Sequence, residues 1–353
     1  MARKSKTDAV TKKLRVLLLV HETLVPPATI EGLSDKDIAP FKTEYDVWTH
    51  LAHLGHEVKV LGVGSDLGVI KQAIDAFAPH VAFNLLEEFD GVGVFDAHVA
   101  AYLEMLRLPY TGCNSRGLML AHDKALTKMI VGHHRVRTPN FAVFPVGRRV
   151  PRVLSRKLPF PLLVKSLTEE GSVGISQASV VHDVEKLTER VAFVHEHLGT
   201  HAIAEQYIDG RELYVGVLGN QRLQTLPVWE LLFNNLREDA PRIATGKIKW
   251  DYDYQKKIGL ESKQAVDLPE GFGAMIANLA KRVYRALSLS GYARLDFRLT
   301  AAGELYLIEA NPNPQVAYGE DFAESAHVAG IEYPALLQRI LTLGLGYEPR
   351  GRA

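Results

Sequence analysis

The chain has 353 residues, 47% of them hydrophobic, and its 41 lysines and arginines balance its 41 aspartates and glutamates. This length predicts two or three globular domains, and the balanced charge argues against nucleic acid or an anionic membrane as a partner. The single cysteine, Cys113, excludes an intramolecular disulfide and a thiolate metal cluster and is typical of the reducing cytoplasm. No apolar run reaches the roughly 18 residues of a membrane span, and residues 1–13 are expected to form a disordered basic tail.

The first part of the chain predicts alternating strands and helices. Strands are predicted over residues 14–20, 58–61 and 81–83, and helices over 44–54 and 66–77. The first strand is almost continuously apolar, as is typical of a parallel strand buried on both faces. We therefore expect a small doubly wound domain that ends near residue 115. Its functional rim should lie in the loops that follow its strands, around His21, Glu22 and residues 84–90.

The next unit is expected to carry a phosphate-binding flap. A helix with Asp123, Lys124 and Lys128 precedes an extended segment, and a strand over residues 159–165 then ends in Lys165. The polar turn over residues 169–176 has glycines at 171 and 174, which permit positive φ and close backbone approach, and Ser172 adds a hydroxyl. Backbone N–H groups in such a turn can form an anion-binding nest, although two glycines also occur in ordinary hairpins.

The last unit predicts a strand, a loop and a second strand over residues 202–217, followed by a helix over 271–289. Two apolar runs then flank the polar turn at 300–304, which predicts an antiparallel hairpin. Helices over 321–329 and 333–343 are expected to close the chain.

The predicted hairpin would bring oxygen ligands together at one end of a sheet. Asp296 ends the first apolar run, and Glu309 and Asn311 end the second. Two carboxylates and an amide suit Mg²⁺, which takes few protein ligands and completes its shell with water and phosphates. Arg294 should point to the same side as Asp296, because strand side chains repeat with period two. The alternative is that these are ordinary charges at a sheet edge.

In this order the motifs resemble the ATP-grasp superfamily, and more closely its D-alanine:D-alanine ligase branch. The resemblance covers roughly residues 80–343 and rests on residues 109–113, 123–124, 170–176, 292–297 and 309–312. It implies an α/β ATP-grasp fold, in which a doubly wound parallel-sheet domain precedes two α+β subdomains that sandwich ATP. The implied divisions are a tail at 1–13, domains at 14–115, 116–203 and 204–346, and a tail at 347–353.

The resemblance also implies roles for individual residues. Contacts with the nucleotide would come from Lys124, Lys165, the flap residues Glu170, Gly171, Ser172, Val173 and Gly174, the adenine segment Glu205, Gln206, Tyr207 and Ile208, and the ribose ligand Glu212. Asp296, Glu309 and Asn311 would hold two Mg²⁺ ions, with Mn²⁺ as a substitute. Arg294, Lys257 and Ser172 would be catalytic. A substrate carboxylate would attack ATP to give an acyl phosphate, and an amine would then form the amide bond.

Departures from the family pattern lie at positions expected to contact substrate. Residues 21–27 and 85–91 replace the usual glycine-rich and His-Gly loops, and the flap lacks one serine. Asn311-Pro312-Asn313-Pro314-Gln315 replaces a segment where Pro-Gly is expected. The chain is therefore expected to be a carboxylate–amine ligase for amino acids or small peptides, and not a housekeeping enzyme. The alternatives are a D-alanine:D-alanine ligase of cell-wall synthesis, an ATP-dependent phosphotransferase and a non-catalytic ATP-binding regulatory module.

The sequence leaves the roles of several other residues open. The rim residues His21, Glu22, Glu87 and Glu88, and Tyr318 and Glu320 after the metal strand, either contact substrate or are solvated charges. The histidine pairs at 133–134 and 195–197 lack a third ligand at an interpretable spacing, so a zinc site is disfavoured. A cytoplasmic enzyme with small-molecule substrates is expected, and the family resemblance suggests a homodimer.

Overall fold

The structure is a computed structural model and describes residues 13–151, 158–237, 241–243 and 245–349, without the side chains of residues 249, 250 and 252. The predicted tail over residues 1–13 lies, apart from Lys13, outside the described residues, as do residues 350–353 of the predicted second tail. Within the described residues, no helix combines the length and the apolar composition that crossing a membrane would need.

The first sheet is parallel and confirms the alternating pattern. Its strands are β1 (Arg15–His21), β2 (Glu57–Val63) and β3 (Val81–Asn84), and their order is β2-β1-β3. The helices of this part are α1 (Asp35–Ile38), α2 (Lys42–His53), α3 (Gly68–Phe77) and α4 (Asp96–Met105). The central strand β1 is fully buried from Val16 to Val20, which explains its continuous apolar run.

Two helices, α5 (Ser115–His122) and α6 (Lys124–His133), connect this part to the second sheet. The sequence predicted a helix that contained Asp123, but this residue lies between the two helices. Its carboxylate caps α6 by accepting a hydrogen bond of 2.8 Å from the backbone N–H of Leu126. The cap fixes where α6 begins and therefore which way its lysines face.

The second sheet is antiparallel. It contains β4 (Phe141–Phe144), β5 (Leu162–Ser166), β6 (Val180–Val181) and β7 (Ala202–Gln206), in the order β4-β7-β5-β6. Helix α7 (Val184–Phe193), extended by one π-helical turn at Val194–Leu198, covers one face of this sheet. The flap connects β5 to β6, so both of its ends are attached to the sheet.

The third sheet carries the predicted hairpin. Its strands are β8 (Arg211–Leu218), β9 (Gln224–Thr225), β10 (Trp229–Phe233), β11 (Leu260–Gln264), β12 (Tyr292–Leu299) and β13 (Leu305–Pro312). The order is β11-β10-β8-β12-β13, with β9 paired to β8, and all neighbours are antiparallel. The helices are α8 (Gly246–Trp250), α9 (Tyr252–Ile258), α10 (Phe272–Ala286), α11 (Asp321–Val328) and α12 (Tyr333–Leu345).

The last helix packs against the first domain. Leu336, Leu337 and Ile340 of α12 belong to one buried cluster with Val16 and Phe83 of the first sheet. The third sheet and the first domain therefore share a core, which fixes the rim of the first domain beside the hairpin. The predicted boundary at residue 203 falls inside β7, and the domain divisions stay a prediction.

Candidate active site

The hairpin of β12 and β13 forms as predicted and determines the geometry of the site. Its turn is closed by hydrogen bonds of 2.9 Å from the N–H of Thr300 to the carbonyl of Glu304 and from the N–H of Gly303 to the carbonyl of Thr300. The strand register places Asp296 opposite Glu309 and Arg294 opposite Asn311, and an irregularity follows Asp296. Four residues from two strands therefore meet on the hairpin, but Asp296 and Glu309 lie near the middle of their strands and not at the end of the sheet that the sequence predicted.

Asp296 is the centre of this cluster. The Nε and Nη2 atoms of Arg294 donate to its two carboxylate oxygens at 2.9 and 3.0 Å, and the amide of Asn311 donates at 2.9 Å. The guanidinium also lies 4.4 Å from the ring centroid of Tyr214. Burial raises the pKa of Asp296 even though Arg294 opposes the shift. Burial alone would lower the pKa of Arg294, but Asp296 outweighs it and raises that pKa.

A second charged cluster lies beside the first and is almost fully buried. The Glu205 carboxylate on β7 is 3.1 Å from Nζ of Lys128 on α6 and 3.4 Å from Nζ of Lys165 on β5. Lys128 also donates a hydrogen bond of 2.7 Å to the carbonyl of Ile308 on β13. Burial alone would raise the pKa of Glu205, but the two ammonium groups lower it. This cluster ties the second sheet to the hairpin of the third.

Lys124 connects the flap to the hairpin. Its Nζ donates a hydrogen bond of 2.6 Å to the carbonyl of Glu169 and lies 3.3 Å from the Glu309 carboxylate. Lys124 and Lys128 are one helical turn apart on α6 and therefore share a face. Both ammonium groups are buried against β13, Lys124 at Glu309 and Lys128 at Ile308. The clusters concentrate positive charge beside the hairpin, which would suit a polyanion such as a triphosphate.

A cavity lies between the second and third sheets, and its volume is about 760 Å³ when the part that is open to solvent is included. Its charged lining residues include Lys165, Glu205, Arg294, Asp296 and Glu309. Its apolar lining residues include Leu163, Ile175, Ile208, Ile243, Phe297 and Ile308. Such a lining suits a molecule that has both an apolar and an anionic part.

Comparison with known proteins agrees with this geometry. The family model for the C-terminal domain of D-ala D-ala ligases matches residues 144–342, which include β5 to β7 of the second sheet, the flap and the hairpin of β12 and β13. The chain belongs to the D-alanine–D-alanine ligase family. It is thus an ATP-grasp carbon–nitrogen ligase, which uses ATP to form an amide bond.

Individual relatives of this ligase cover most of its length. The chain is 31% identical over 315 residues to a D-alanine–D-alanine ligase of Syntrophotalea carbinolica, covering 88% of this chain and 92% of that one. An uncharacterized protein of Sinorhizobium fredii is 30% identical over 261 residues, covering 74% of this chain and 73% of that one. The crystal structure of D-alanine–D-alanine ligase from Bacillus anthracis complexed with ATP matches with a TM-score of 0.72 at 22% identity, covering 94% and 97% of the two chains.

Most of the residues predicted to bind nucleotide in this ligase line the cavity. They are Lys165, Ser172, Glu205, Gln206, Tyr207, Ile208 and Glu212, together with Arg294, Asp296 and Glu309. Lys124 and Asn311 lie directly behind this lining, in contact with Glu309 and Asp296. Lys257 is on the last turn of α9, is exposed and is not one of the lining residues of this cavity, so its catalytic role stays a prediction.

Sequence reasoning assigned no role to three charged or polar residues of the site. Lys128 holds Glu205, Arg298 donates to the Glu212 carboxylate at 2.5 Å, and Tyr214 donates to Glu212 at 2.7 Å. Lys128 could have been found from its spacing of four residues from Lys124, which predicts a shared helix face. Arg298 lies two residues after Asp296 on β12, and strand periodicity therefore predicts that it shares a face with Arg294 and Asp296.

The predicted flap, residues 169–176, is an ordered turn with left-handed backbone. Gly171, Ser172 and Gly174 have φ values of 65°, 63° and 69°. Ser172 adopts this conformation without being glycine, which is uncommon and typical of functional loops. A Cβ on Gly174 would lie 2.7 Å from a methyl group of Leu198, so this position combines positive φ with close packing. The proposed contact of this turn with phosphate stays a prediction.

Four of the residues left open by the sequence make contacts, either with each other or with helix α2. Nε2 of His21 lies 3.2 Å from the Glu88 carboxylate, so the loops after β1 and β3 meet. Glu320 is 3.8 Å from Nζ of Lys42 on α2, and the N–H of Tyr318 donates to Asp46 at 3.0 Å. The segment after β13 is therefore held against α2 of the first domain. Glu22 and Glu87 are exposed at this rim.

A buried histidine holds the base of the flap. Nε2 of His122 lies 2.8 Å from the Asp96 carboxylate on α4, and Nδ1 lies 2.9 Å from the Glu170 carboxylate of the flap. Burial alone would lower the pKa of His122, but the two carboxylates raise it to about 10. The imidazolium is therefore a charged link between the first domain and the flap.

We expect His122→Gln to loosen the flap, because glutamine cannot carry a positive charge between two carboxylates. The ratio of phosphate released to amide formed should rise, since an open flap lets water reach the activated carboxylate, and KM for ATP should rise by about fivefold. His133→Gln, on the exposed end of α6, is the matched control and should change neither quantity. An unchanged ratio in His122→Gln would contradict the role of this link.

The same link predicts a pH dependence of stability. The pKa of His122 is raised from 6.5 to about 10 in the folded protein. The stabilisation that the charged imidazolium contributes is therefore fully present below pH 6.5 and is lost as the pH rises through about 10. We expect the difference in Tm between wild type and His122→Gln to be largest at about pH 6 and to vanish above about pH 10. Thermal unfolding of both proteins across this pH range is the measurement. A difference in Tm that did not change with pH would contradict the link.

Proposed function

We propose that this ligase joins the carboxylate of one amino-acid or small-peptide substrate to the amine of another. The observation that carries the proposal is the lining of the cavity between the sheets, which combines Arg294, Lys165 and the two hairpin carboxylates with apolar side chains. The charged residues would take the triphosphate of ATP, and the apolar side chains would take its base. No residue in the cavity is needed as a covalent nucleophile.

The chemistry follows from charge. An oxygen of the substrate carboxylate attacks the γ-phosphorus of ATP, ADP leaves, and an acyl phosphate forms. The amine then attacks the acyl carbon, the C–N bond forms, and phosphate leaves with the bonding electrons while the amine loses a proton. Arg294 and Lys165 would stabilise negative charge on the transferred phosphoryl group and on the oxyanion that follows, and the flap would exclude water.

Mg²⁺ is proposed as the metal. Two carboxylates and one amide fit an ion that binds few protein groups and completes its shell with phosphate oxygens and water. Within the described residues no group of three or more His, Cys, Asp and Glu side chains could hold a metal, so phosphate oxygens would be essential to the site. Asp296 would have to exchange part of its contact with Arg294 for the ion. When bound, Mg²⁺ would neutralise charge on the phosphates, and Mn²⁺ could replace it.

The substrates proposed are not two molecules of D-alanine. The loops around His21 and after β3 and the segment after β13 depart from the family pattern, whereas the nucleotide cavity keeps its residues. The competing candidate is a D-alanine:D-alanine ligase, and the names of the Syntrophotalea carbinolica and Bacillus anthracis relatives favour it. The cytoplasmic location and the homodimer also stay proposals, which cell fractionation and light scattering would test.

The test is release of ADP and phosphate from Mg-ATP with single D- and L-amino acids, with pairs of them and with short peptides. We expect sustained release only when a carboxylate and an amine substrate are both present. Sustained turnover with D-alanine alone would establish the competing candidate. Release that needs no amine would indicate a phosphotransferase, and ATP binding without turnover on any mixture would indicate a regulatory module.

A further inference from the structure

A buried arginine lies beside the proposed ribose ligand of the ATP cavity. Arg298 is on β12, is only 6% exposed and belongs to the lining of the cavity. The register of β8 and β12 places it directly opposite Glu212. The proposed ligation uses Arg294 of the same strand and gives Arg298 no part. Because a buried charge is costly unless it is paired, the partners of Arg298 indicate its role.

The guanidinium of Arg298 joins three segments of the chain. Its Nη2 atom donates a hydrogen bond of 2.5 Å to the Glu212 carboxylate and another to the carbonyl of Arg242. Its Nη1 atom donates at 3.0 Å to the carbonyl of Gly210, which follows the proposed adenine segment. A guanidinium is planar and its donors form a rigid fork, so Arg298 fixes these three acceptors relative to one another.

The carboxylate of Glu212 is held at both of its oxygens. Oε2 accepts the hydrogen bond from Arg298, and Oε1 accepts one of 2.7 Å from the hydroxyl of Tyr214. A carboxylate offers about four acceptor positions, so these two donors leave one position on each oxygen. The two hydroxyl groups of a ribose are on adjacent carbon atoms and would supply two further donors. The contacts therefore present Glu212 to a ribose in one fixed orientation.

The Arg242 carbonyl belongs to a segment that borders the same cavity. The N–H of Arg242 donates a hydrogen bond of 3.2 Å to the hydroxyl of Tyr207, and the neighbouring Ile243 is buried. Both Tyr207 and Ile243 line the cavity. Arg298 holds this segment through its carbonyl, and Tyr207 holds it through its N–H group. The ribose ligand and part of the apolar lining, on which a base would pack, therefore share Arg298 as their anchor.

We propose that Arg298 is a positioning residue for the nucleoside part of ATP, which orients the Glu212 carboxylate to accept hydrogen bonds from both ribose hydroxyls. The inference rests on the proposed binding of ATP in this cavity and adds a residue that acts through Glu212 and not by contact with the nucleotide. A role at the phosphates fits less well. Four residues of a strand span about 13 Å, which separates Arg298 from Arg294, the arginine proposed for phosphoryl transfer.

The test measures the affinity for ADP, 2′-deoxy-ADP and 3′-deoxy-ADP by calorimetric titration in the presence of Mg²⁺. We expect wild type to bind ADP about 10- to 100-fold more tightly than either deoxy form, the effect typical of a hydrogen bond to a charged group. Arg298→Gln should reduce this preference to about threefold or less, because a neutral amide cannot hold Glu212 and both carbonyls. Arg298→Lys keeps the charge without the fork and should retain part of the preference. Arg285→Gln, an exposed arginine of α10, is the matched control and should keep all of it.

A double variant distinguishes positioning from direct contact. Glu212→Gln should lose the preference by itself, and Arg298→Gln in that background should lower it no further. A further loss in that background, or the full wild-type preference in folded Arg298→Gln or Arg298→Lys, would overturn the proposal. Equal affinity of wild type for ADP and both deoxy forms would overturn it together with the ribose role of Glu212. The titrations need no turnover, so absence of amine-dependent ADP release would contradict the ligase function alone.

Discussion

Asp296→Asn is expected to lower the rate of ADP release by at least about 1,000-fold. The substitution removes one of the two hairpin carboxylates proposed to hold Mg²⁺, and it leaves Arg294 without the carboxylate that receives both of its hydrogen bonds. Arg294 would then be drawn toward the phosphates in the ground state instead of being held for the transition state. The measurement is initial ADP release under saturating ATP and substrates, in parallel with thermal unfolding.

The control for this variant is Asp75→Asn, which removes an exposed carboxylate paired with Lys71 one helical turn away. Exposed pairs of this kind contribute little to stability, so neither activity nor Tm should change measurably. A folded Asp296→Asn protein with more than about a tenth of the wild-type rate would contradict a role for this carboxylate in the transfer step. Loss of folding would be visible as a lowered Tm and would separate a structural effect from a catalytic one.

The hairpin could be predicted from the sequence because its determinants are local. Two apolar runs flank a polar turn of five residues, and strand periodicity puts Arg294 and Asp296 on one side. Regular antiparallel pairing from the turn would place Ile308 opposite Asp296, and the irregularity after Asp296, which the sequence does not show, brings Glu309 there instead. The same argument explains why the parallel first sheet was predictable, since its central strand is apolar along its whole buried length.

The contacts that complete the site could not be predicted, because they join residues far apart in the chain. Arg298 meets Glu212 across 86 positions, and Lys128 meets the carbonyl of Ile308 across 180. The link between Asp96, His122 and Glu170 requires the packing of α4, α5 and the flap to be known. Sequence periodicity gives the face on which a side chain lies and not the partner that it meets there.

Glu205→Gln is expected to have the largest effect on stability. It would leave the ammonium groups of Lys128 and Lys165 buried beside each other with a neutral amide between them. Removal of one partner from a buried ion pair typically costs about 3 to 5 kcal/mol, because the remaining charge has lost its compensation. Urea unfolding should report this loss as a lower midpoint with an unchanged slope, because the surface exposed on unfolding is nearly the same.

Comparison of Lys128→Met with Glu205→Gln shows whether the loss of stability comes from unbalanced charge or from altered packing. It removes one of the two cations, so Glu205 keeps Lys165 at 3.4 Å and the cluster becomes neutral. Burial already lowers the pKa of Lys128, which indicates that its charged form is only partly compensated in the folded state. We therefore expect Lys128→Met to destabilise by about 1 kcal/mol or less, and Lys186→Met, from an exposed pair with Glu189, to have no measurable effect. If Lys128→Met were as costly as Glu205→Gln, the cluster would act through its packing and its hydrogen bond to Ile308 and not through charge balance.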